Sequence, residues 1–212
     1  MRVPMFPLGN VVLPGELLPL NVFEPRYRQL VLDCLAADVP EFGVVLIERG
    51  SEVGGGDVRT SIGTVARIVR VVPLGSGRFE IAAAGIRRVS VLEWLADNPY
   101  PRSDVEDWPE GEPVDGAALR PALERLVERI EETRGLADEL AKASERRVTA
   151  RATPPLKLSE EVGRAVYQLA ARAPIGPADR YRLLAAPTIE TRVELLGAAL
   201  DDTEAMLRFR LA

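Results

Sequence analysis

The sequence has 212 residues, of which 47% are hydrophobic and 28% are charged. These proportions are typical of a folded globular protein and exclude a disordered or collagen-like chain. The 27 basic and 32 acidic residues give a formal net charge of −5. This balance argues against a general nucleic-acid binder, because such proteins concentrate positive charge.

Two residue types that carry much of enzyme chemistry are scarce. The chain contains no histidine and a single cysteine, Cys34. The lack of histidine removes the commonest general base and metal ligand. A single cysteine excludes an intrachain disulfide and a cysteine-rich zinc site. We therefore expect no metal and no cofactor. Because the first residues lack a long apolar signal region and no apolar run is long enough to cross a bilayer, we also expect a cytoplasmic protein without a membrane partner.

The first half of the chain is rich in short β-like segments separated by proline and glycine. The patterns predict strands over residues 19–23, 42–47, 63–72, 78–84, 86–92 and 100–106. A tight turn is expected at residues 75–77 and a bulge or bend at Gly85. One helix begins at Pro25, after Glu24, and its buried face is expected to carry the apolar residues Tyr27, Leu30, Val31, Cys34 and Leu35.

The second half has helical spacing throughout. One stripe comprises Leu119, Leu123, Leu126, Val127 and Ile130, and a second comprises Val162, Val166 and Leu169, with Ser159 as the expected N-cap. A short helix is predicted over residues 177–185. The last helix starts at Thr188 and presents Ile189, Val193, Leu196, Leu200 and Leu207 on one side. Together the patterns predict an α+β fold: a bent β-barrel with one packed helix over residues 1–112, followed by a helical bundle over residues 113–212.

Two blocks near the start resemble the opening of the N-terminal, substrate-binding domain of Lon proteases. They read FPLGNVVLPG over residues 6–15 and LPLNVFEPRYR over residues 18–28. Further matches follow at residues 42–45, 50–54, 63–68, 78–85, 179–184 and 191–196. The resemblance implies a PUA-like barrel and a helical bundle that recognise protein substrates and help to assemble the protease, without performing chemistry. Many relatives have histidine where this chain has Asn21, which does not titrate near neutral pH.

The catalytic parts of the Lon family are not recognisable. The chain has neither a phosphate-binding loop nor the Gly-Pro-Ser-Ala-Gly motif of the protease nucleophile, and we expect a stand-alone copy of the recognition domain.

Cys34 lies on an apolar helix face and is interpreted as core. A Ser–Lys dyad from Ser144 or Ser159 with Lys142 or Lys157 lacks the buried lysine that it requires, and Asp104 and Glu106 are interpreted as a solvated acidic edge.

Candidate binding residues come from two groups. Apolar residues near strand ends and in loops are expected to form a peptide-binding groove between barrel and bundle: Leu17, Leu18, Trp94, Tyr100 and Trp108. The Lon-like motif residues Phe23, Glu24, Pro25, Arg26 and Tyr27 are interpreted as mainly architectural, and ordinary core packing remains the alternative for the first group.

The function that this sequence favours is a non-enzymatic module that binds exposed apolar segments of unfolded or client proteins. A Lon-type protease is a candidate partner, and the last helix is a candidate for self-association. The alternative is a PUA-like protein that binds a small ligand or RNA. The basic residues between Lys142 and Lys157 (Arg146, Arg147 and Arg151) lack interleaved aromatics for base stacking, which makes nucleic acid the weaker choice. A hydrolase is the least favoured class.

Overall fold

The computed structural model describes residues 1–50, 56–112, 114–143 and 157–212. The chain forms two compact units, Met1–Pro109 and Glu110–Ala212, and the predicted boundary at residues 112 and 113 lies close to this division. Several residues weighed above lie outside the described part: most of the 50–54 turn, Ser144 and the arginines at 146, 147 and 151. No described helix is long and apolar enough to cross a membrane.

The first unit contains six strands and one helix. The strands are β1 (Arg2–Leu8), β2 (Leu17–Val22), β3 (Glu41–Arg49), β4 (Val58–Pro73), β5 (Phe79–Leu95) and β6 (Arg102–Asp107), and helix α1 (Pro25–Ala36) follows β2. Strand β1 was not predicted, because its prolines interrupt the alternation that marks a strand. Its pairing is long-range: Met5 lies opposite Gly43, and Val3 lies opposite Ser103.

Strand pairing closes five of these strands into a barrel. Strand β1 pairs with β3 and β6, and β5 pairs with β4 and β6, so that the ladder β1-β3-β4-β5-β6 returns to β1. The predicted β-rich first half is therefore confirmed. Together with the helices of the second unit it gives the predicted α+β class. The sixth strand, β2, pairs with residues 79–84 of β5 and, among the described residues, with no other strand, so that it forms an edge.

The irregularity expected at Gly85 is confirmed, although β5 continues through it. Ala66 pairs with Gly85 whereas Val65 pairs with Arg87, which leaves Ile86 as an extra residue. Glycine is required because a Cβ here would lie 2.4 Å from the carbonyl oxygen of Leu13. The bulge bends the strand, so that the first half of β5 pairs with β2 and the second half pairs with β6.

Two apolar clusters stabilise the first unit. One contains Val3, Met5, Val45, Val65, Val89 and Val105, and the other packs around helix α1 through Tyr27, Leu30, Val31 and Cys34. Leu35 was expected on the same helix face but is exposed, which corrects that prediction: it lies at the margin of the stripe, beyond the reach of the sheet. Cys34 is core, as expected, and burial raises the pKa of its thiol to about 12.

The described residues of the second unit form four helices: α2 (Gly116–Ala143), α3 (Val162–Arg172), α4 (Pro177–Ala185) and α5 (Ile189–Leu211). The bounds of α4 and the capping residue Thr188 of α5 agree with prediction. The predicted N-cap Ser159 is wrong: the carboxylate of Glu161 accepts the bond from the Arg164 amide, and the Ser159 hydroxyl accepts from the amide of Glu161.

Arg192 organises the second unit from inside and was missed by the sequence patterns. Its side chain is 0% exposed, its Nε donates to the carbonyl oxygen of Leu183 at 3.1 Å, and its guanidinium lies 4.3 Å from the ring centroid of Tyr167. The Glu110 carboxylate lies 2.9 Å from Nη2 of Arg192 and accepts from the Tyr167 hydroxyl at 3.0 Å. These contacts offset part of the cost of burying the charge, although Nη1 and Nη2 of Arg192 make no hydrogen bond within the described residues.

Candidate functional site

The chain enters the edge strand β2 through a turn that its sequence specifies. The amide of Glu16 donates to the carbonyl oxygen of Leu13, and Gly15 has φ +83°, as expected of a Pro-Gly type II turn. The amide of Gly15 also donates to the carbonyl oxygen of Gly85. In return, the amide of Gly85 donates to the carbonyl oxygen of Glu16. This glycine bulge sets the register of β2 against β5.

The register decides which backbone groups of β2 point away from the sheet. Residues on an antiparallel strand alternate between bonding to the neighbour and pointing away from it. Because Glu16 bonds to Gly85, the outward positions are Leu17, Pro19 and Asn21. Within the described part of the chain, the outward amides of Leu17 and Asn21 and the three outward carbonyl groups have no hydrogen-bond partner.

Exposed apolar side chains accompany this edge. Leu17 is 59% exposed at its beginning, and Phe23 is 58% exposed immediately after its end. Beside Phe23 lies a cavity of about 80 Å³, lined by Phe6, Leu8, Leu20, Asn21, Val22, Phe23, Glu24 and Tyr27. This volume suits a single apolar side chain. From Leu17 to Phe23 the sequence contains no charged residue.

Three of the five Lon-like motif residues, Phe23, Glu24 and Tyr27, line this cavity. Tyr27 stacks on Phe6 with ring centroids 4.0 Å apart, and burial raises the pKa of its hydroxyl to about 12. Glu24 precedes helix α1 but makes no side-chain capping bond; its carboxylate accepts from Nε of Arg26 at 3.1 Å instead. The guanidinium of Arg26 lies 4.6 Å from the centre of the Tyr27 ring. The expected architectural role of this block is consistent with these contacts.

A second arginine–aromatic stack lies near the first. Arg59 lies 4.6 Å from the ring centroid of Trp94, and its Nε donates to Asp57 at 2.6 Å. Asp57 and Arg59 both act on the pKa of Tyr27, and Arg26 acts on that of Asp57, so the two stacks are electrostatic neighbours. Burial is the largest single influence on the pKa of Asp57 and raises it. The hydrogen bonds that its carboxylate accepts and the positive charges of Arg59 and Arg26 together outweigh burial and hold that pKa below its usual value.

The five predicted groove residues all belong to the first unit and occupy different environments. Leu17 is exposed on the β2 edge, and Leu18 is partly buried against the cluster around α1. Tyr100 is buried in that cluster, and its hydroxyl donates to Asp33 at 2.6 Å. Trp94 lines an open concavity beside Arg59, and Trp108 donates its amide to the carbonyl oxygen of Arg88.

These positions separate the five residues into surface and core. Of the five, only Trp94 lines the concavity beside Arg59, and none lines the cavity beside Phe23. The exposure of Phe23 and the edge position of β2 were missed at the level of sequence. A signal for the edge existed in Pro19, because proline inside a strand is tolerated where its nitrogen points away from the ladder.

The described residues that were considered as catalytic candidates make structural contacts or lie at the surface. Asp104 pairs with Arg2 at 3.3 Å, and Lys142 and Lys157 are exposed. Within the described residues, no group of three or more cysteine or acidic side chains is arranged to hold a metal ion.

Comparison with known proteins assigns this fold. Residues 2–202 match the family described as the ATP-dependent protease La (LON) substrate-binding domain. The chain belongs to this family. It is 26% identical over 209 residues to the Lon protease of Anaeromyxobacter dehalogenans, a match covering 97% of this chain and 24% of that protein. It is 34% identical over 134 residues to Lon protease 2 of Sorangium cellulosum, covering 59% of this chain and 16% of that protein. The chain thus spans less than a quarter of these relatives.

Solved structures of Lon N-terminal domains have the same fold. The crystal structure of a Lon N-terminal domain protein from Xanthomonas campestris superposes with a TM-score of 0.61 and 26% identity, covering 93% of this chain and 98% of that one. The N-terminal domain of the Mycobacterium avium complex Lon protease superposes with a TM-score of 0.65 at 19% identity, covering 95% and 99%. The second likeness is one of fold alone.

Proposed function

We propose that this Lon-type domain is a non-catalytic recognition module that binds exposed apolar segments of unfolded or client proteins on the barrel. The proposed binding face runs from Leu17 along β2 to Phe23 and the adjoining cavity, and extends to Trp94 beside Arg59. Membership of a substrate-binding family supports the class of function.

The observation that carries the proposal is the pair of exposed apolar side chains at the two ends of an uncharged edge strand. Leu17 and Phe23 are each more than half exposed, and exposed apolar surface beside a cavity is typical of an interaction site. An unfolded polypeptide exposes the apolar side chains that such a face would bury.

The side chains of this protein also suit a recognition domain better than an enzyme. The chain has no histidine, and burial of its single thiol raises the pKa of Cys34 to about 12, which keeps the nucleophilic thiolate rare. RNA binding gains little support from the barrel, because six of the eleven arginines in residues 1–109, at positions 2, 26, 59, 67, 70 and 87, are paired with carboxylates.

A Lon-type protease as partner and self-association remain part of the proposal. In the last helix, α5, Phe209 is exposed to 85%, which offers an anchor for either contact.

The test is binding of the purified protein to a fluorescently labelled model protein that is reduced and unfolded, with the same protein folded as the reference. We expect selective binding of the unfolded form, and Leu17→Asp should weaken it about tenfold, the effect of losing one buried leucine contact. Trp94→Ala tests the second end of the face. Binding of neither form would contradict the proposed function.

A matched control is available on helix α1 of the same unit. Leu32 is 48% exposed and lines neither the cavity beside Phe23 nor the concavity at Trp94. Leu32→Asp should leave binding unchanged. Equal losses in the two variants would show that the effect is general surface polarity, and would refute the assignment to the β2 face.

A further inference from the structure

The edge of β2 carries backbone groups that no described residue pairs with, as well as apolar side chains. Leu17, Pro19 and Asn21 point their backbone outward, which presents two amide donors and three carbonyl acceptors. Such a row is a template for another strand. A bound helix would not satisfy it, because the backbone groups of a helix are already used internally. The row therefore selects an occupant in extended conformation.

The side chains of the edge set the chemistry of that occupant. A strand added beside β2 would place alternate side chains next to Leu18, Leu20 and Val22, which face the core cluster and the cavity beside Phe23. No charge lies between Leu17 and Phe23. Glu16 precedes this stretch, and the carboxylate of Glu24, which follows it, is paired with Arg26. A complementary segment has an uncharged, apolar centre and neutral or basic ends.

We propose that the domain captures its substrate by β-strand addition: an extended, uncharged apolar segment of an unfolded protein pairs with the outer edge of β2 and inserts a side chain into the cavity beside Phe23. This inference rests on the proposed function and adds the conformation in which the substrate is held. In this mode the backbone of the substrate supplies sequence-independent affinity, and the cavity supplies the preference for apolar side chains.

Pro19 gives this mode a particular signature. Its outward carbonyl accepts a bond from the added strand, but its nitrogen has no hydrogen to donate. The occupant therefore forms five backbone bonds along Leu17–Asn21, whether it runs parallel or antiparallel, and one of its carbonyl groups opposite Pro19 lacks a donor. The proline also limits indiscriminate pairing of the edge with other strands.

The direct test uses a short synthetic peptide of alternating valine and threonine with lysine at both ends, and two N-methylated versions. Methylation on one set of alternate residues blocks the amides that face β2, and methylation on the other set blocks only those that face away. We expect one methylated peptide to lose binding at least tenfold and the other to bind like the parent. If both bind like the parent, strand addition is refuted while side-chain recognition stands. If the parent peptide and the unfolded model protein both fail to bind, the proposed function itself fails.

Variants of the edge provide an independent readout. Asn21→Pro and Asn21→Ala both remove the amide side chain from the cavity wall, but only Asn21→Pro removes an outward backbone donor. Asn21→Pro should therefore bind the peptide about three- to tenfold more weakly than Asn21→Ala, the effect of one hydrogen bond. Pro19→Ala adds a donor and should strengthen binding by a similar factor. Identical affinities for Asn21→Pro and Asn21→Ala, with both proteins folded by circular dichroism, would overturn the proposal, as would a Pro19→Ala variant that binds no better than the parent.

Discussion

Replacement of Arg192 by methionine is expected to destabilise the helical unit by about 2–4 kcal/mol. The variant leaves the Leu183 carbonyl without its buried donor, at a cost of about 1–3 kcal/mol, and removes the stack on Tyr167, worth about 1–2 kcal/mol when desolvated. The ion pair with Glu110 adds little because that carboxylate is 44% exposed. Relief from burying a guanidinium offsets part of the loss.

The assay is urea unfolding followed by helical circular dichroism, and the control is Arg182→Ala. Arg182 lies on α4, is 57% exposed and pairs at 3.5 Å with Asp179, so its loss should change the free energy of unfolding by less than about 0.5 kcal/mol. A change below about 1 kcal/mol in Arg192→Met would refute the view that this side chain holds the unit together.

Two further predictions concern the barrel. Gly15→Ala should lower stability by about 1 kcal/mol because Gly15 has φ +83°, whereas Gly135→Ala in helix α2 should raise it by about the same amount; neither added methyl meets an atom within 4 Å, so equal melting temperatures would show that backbone conformation is not responsible. Acid should also destabilise the barrel. Burial alone would raise the pKa of Glu41, but hydrogen bonds from Arg67 and Arg87 outweigh it and lower that pKa from 4.5. Stability from this group is complete above the unfolded value and is lost as pH falls through the lower folded one. Glu41→Gln should flatten this part of the stability–pH curve, and an unchanged curve would contradict the assignment.

Much of the local structure could be predicted from particular residues. Pro177 and Pro187 bracket helix α4, Thr188 caps α5 through the Thr191 amide, and Ser76 with its flanking glycines forms the turn between β4 and β5. These signals act over a few residues and need no distant partner. Ser159 shows the limit of such reasoning, since Glu161 competes for the same cap from two positions away and provides it.

The candidate face was only partly predictable. Leu17 was identified as an apolar residue that is difficult to bury, and it is exposed. Tyr100 came from the same argument but lies in the core, because helix α1 brings Asp33 to its hydroxyl. Phe23 was assigned to architecture on the strength of its motif, yet its side chain is largely exposed. Side-chain type alone cannot distinguish these cases, because each depends on which distant element covers the residue.

The sequence by itself determined the fold family, the starts of α1, α4 and α5, the turn at residues 75–77 and the lack of histidine chemistry, since each follows from residue identity or from neighbours a few positions apart. Tertiary structure decided that β2 is an edge, that Arg192 is buried and that Leu35 is exposed. These three properties depend on partners far away in the chain: β2 becomes an edge only because β5 bends at Gly85 and takes β6 as its other neighbour. The proposed binding face depends on that long-range pairing, which leaves β2 with β5 as its single strand partner among the described residues.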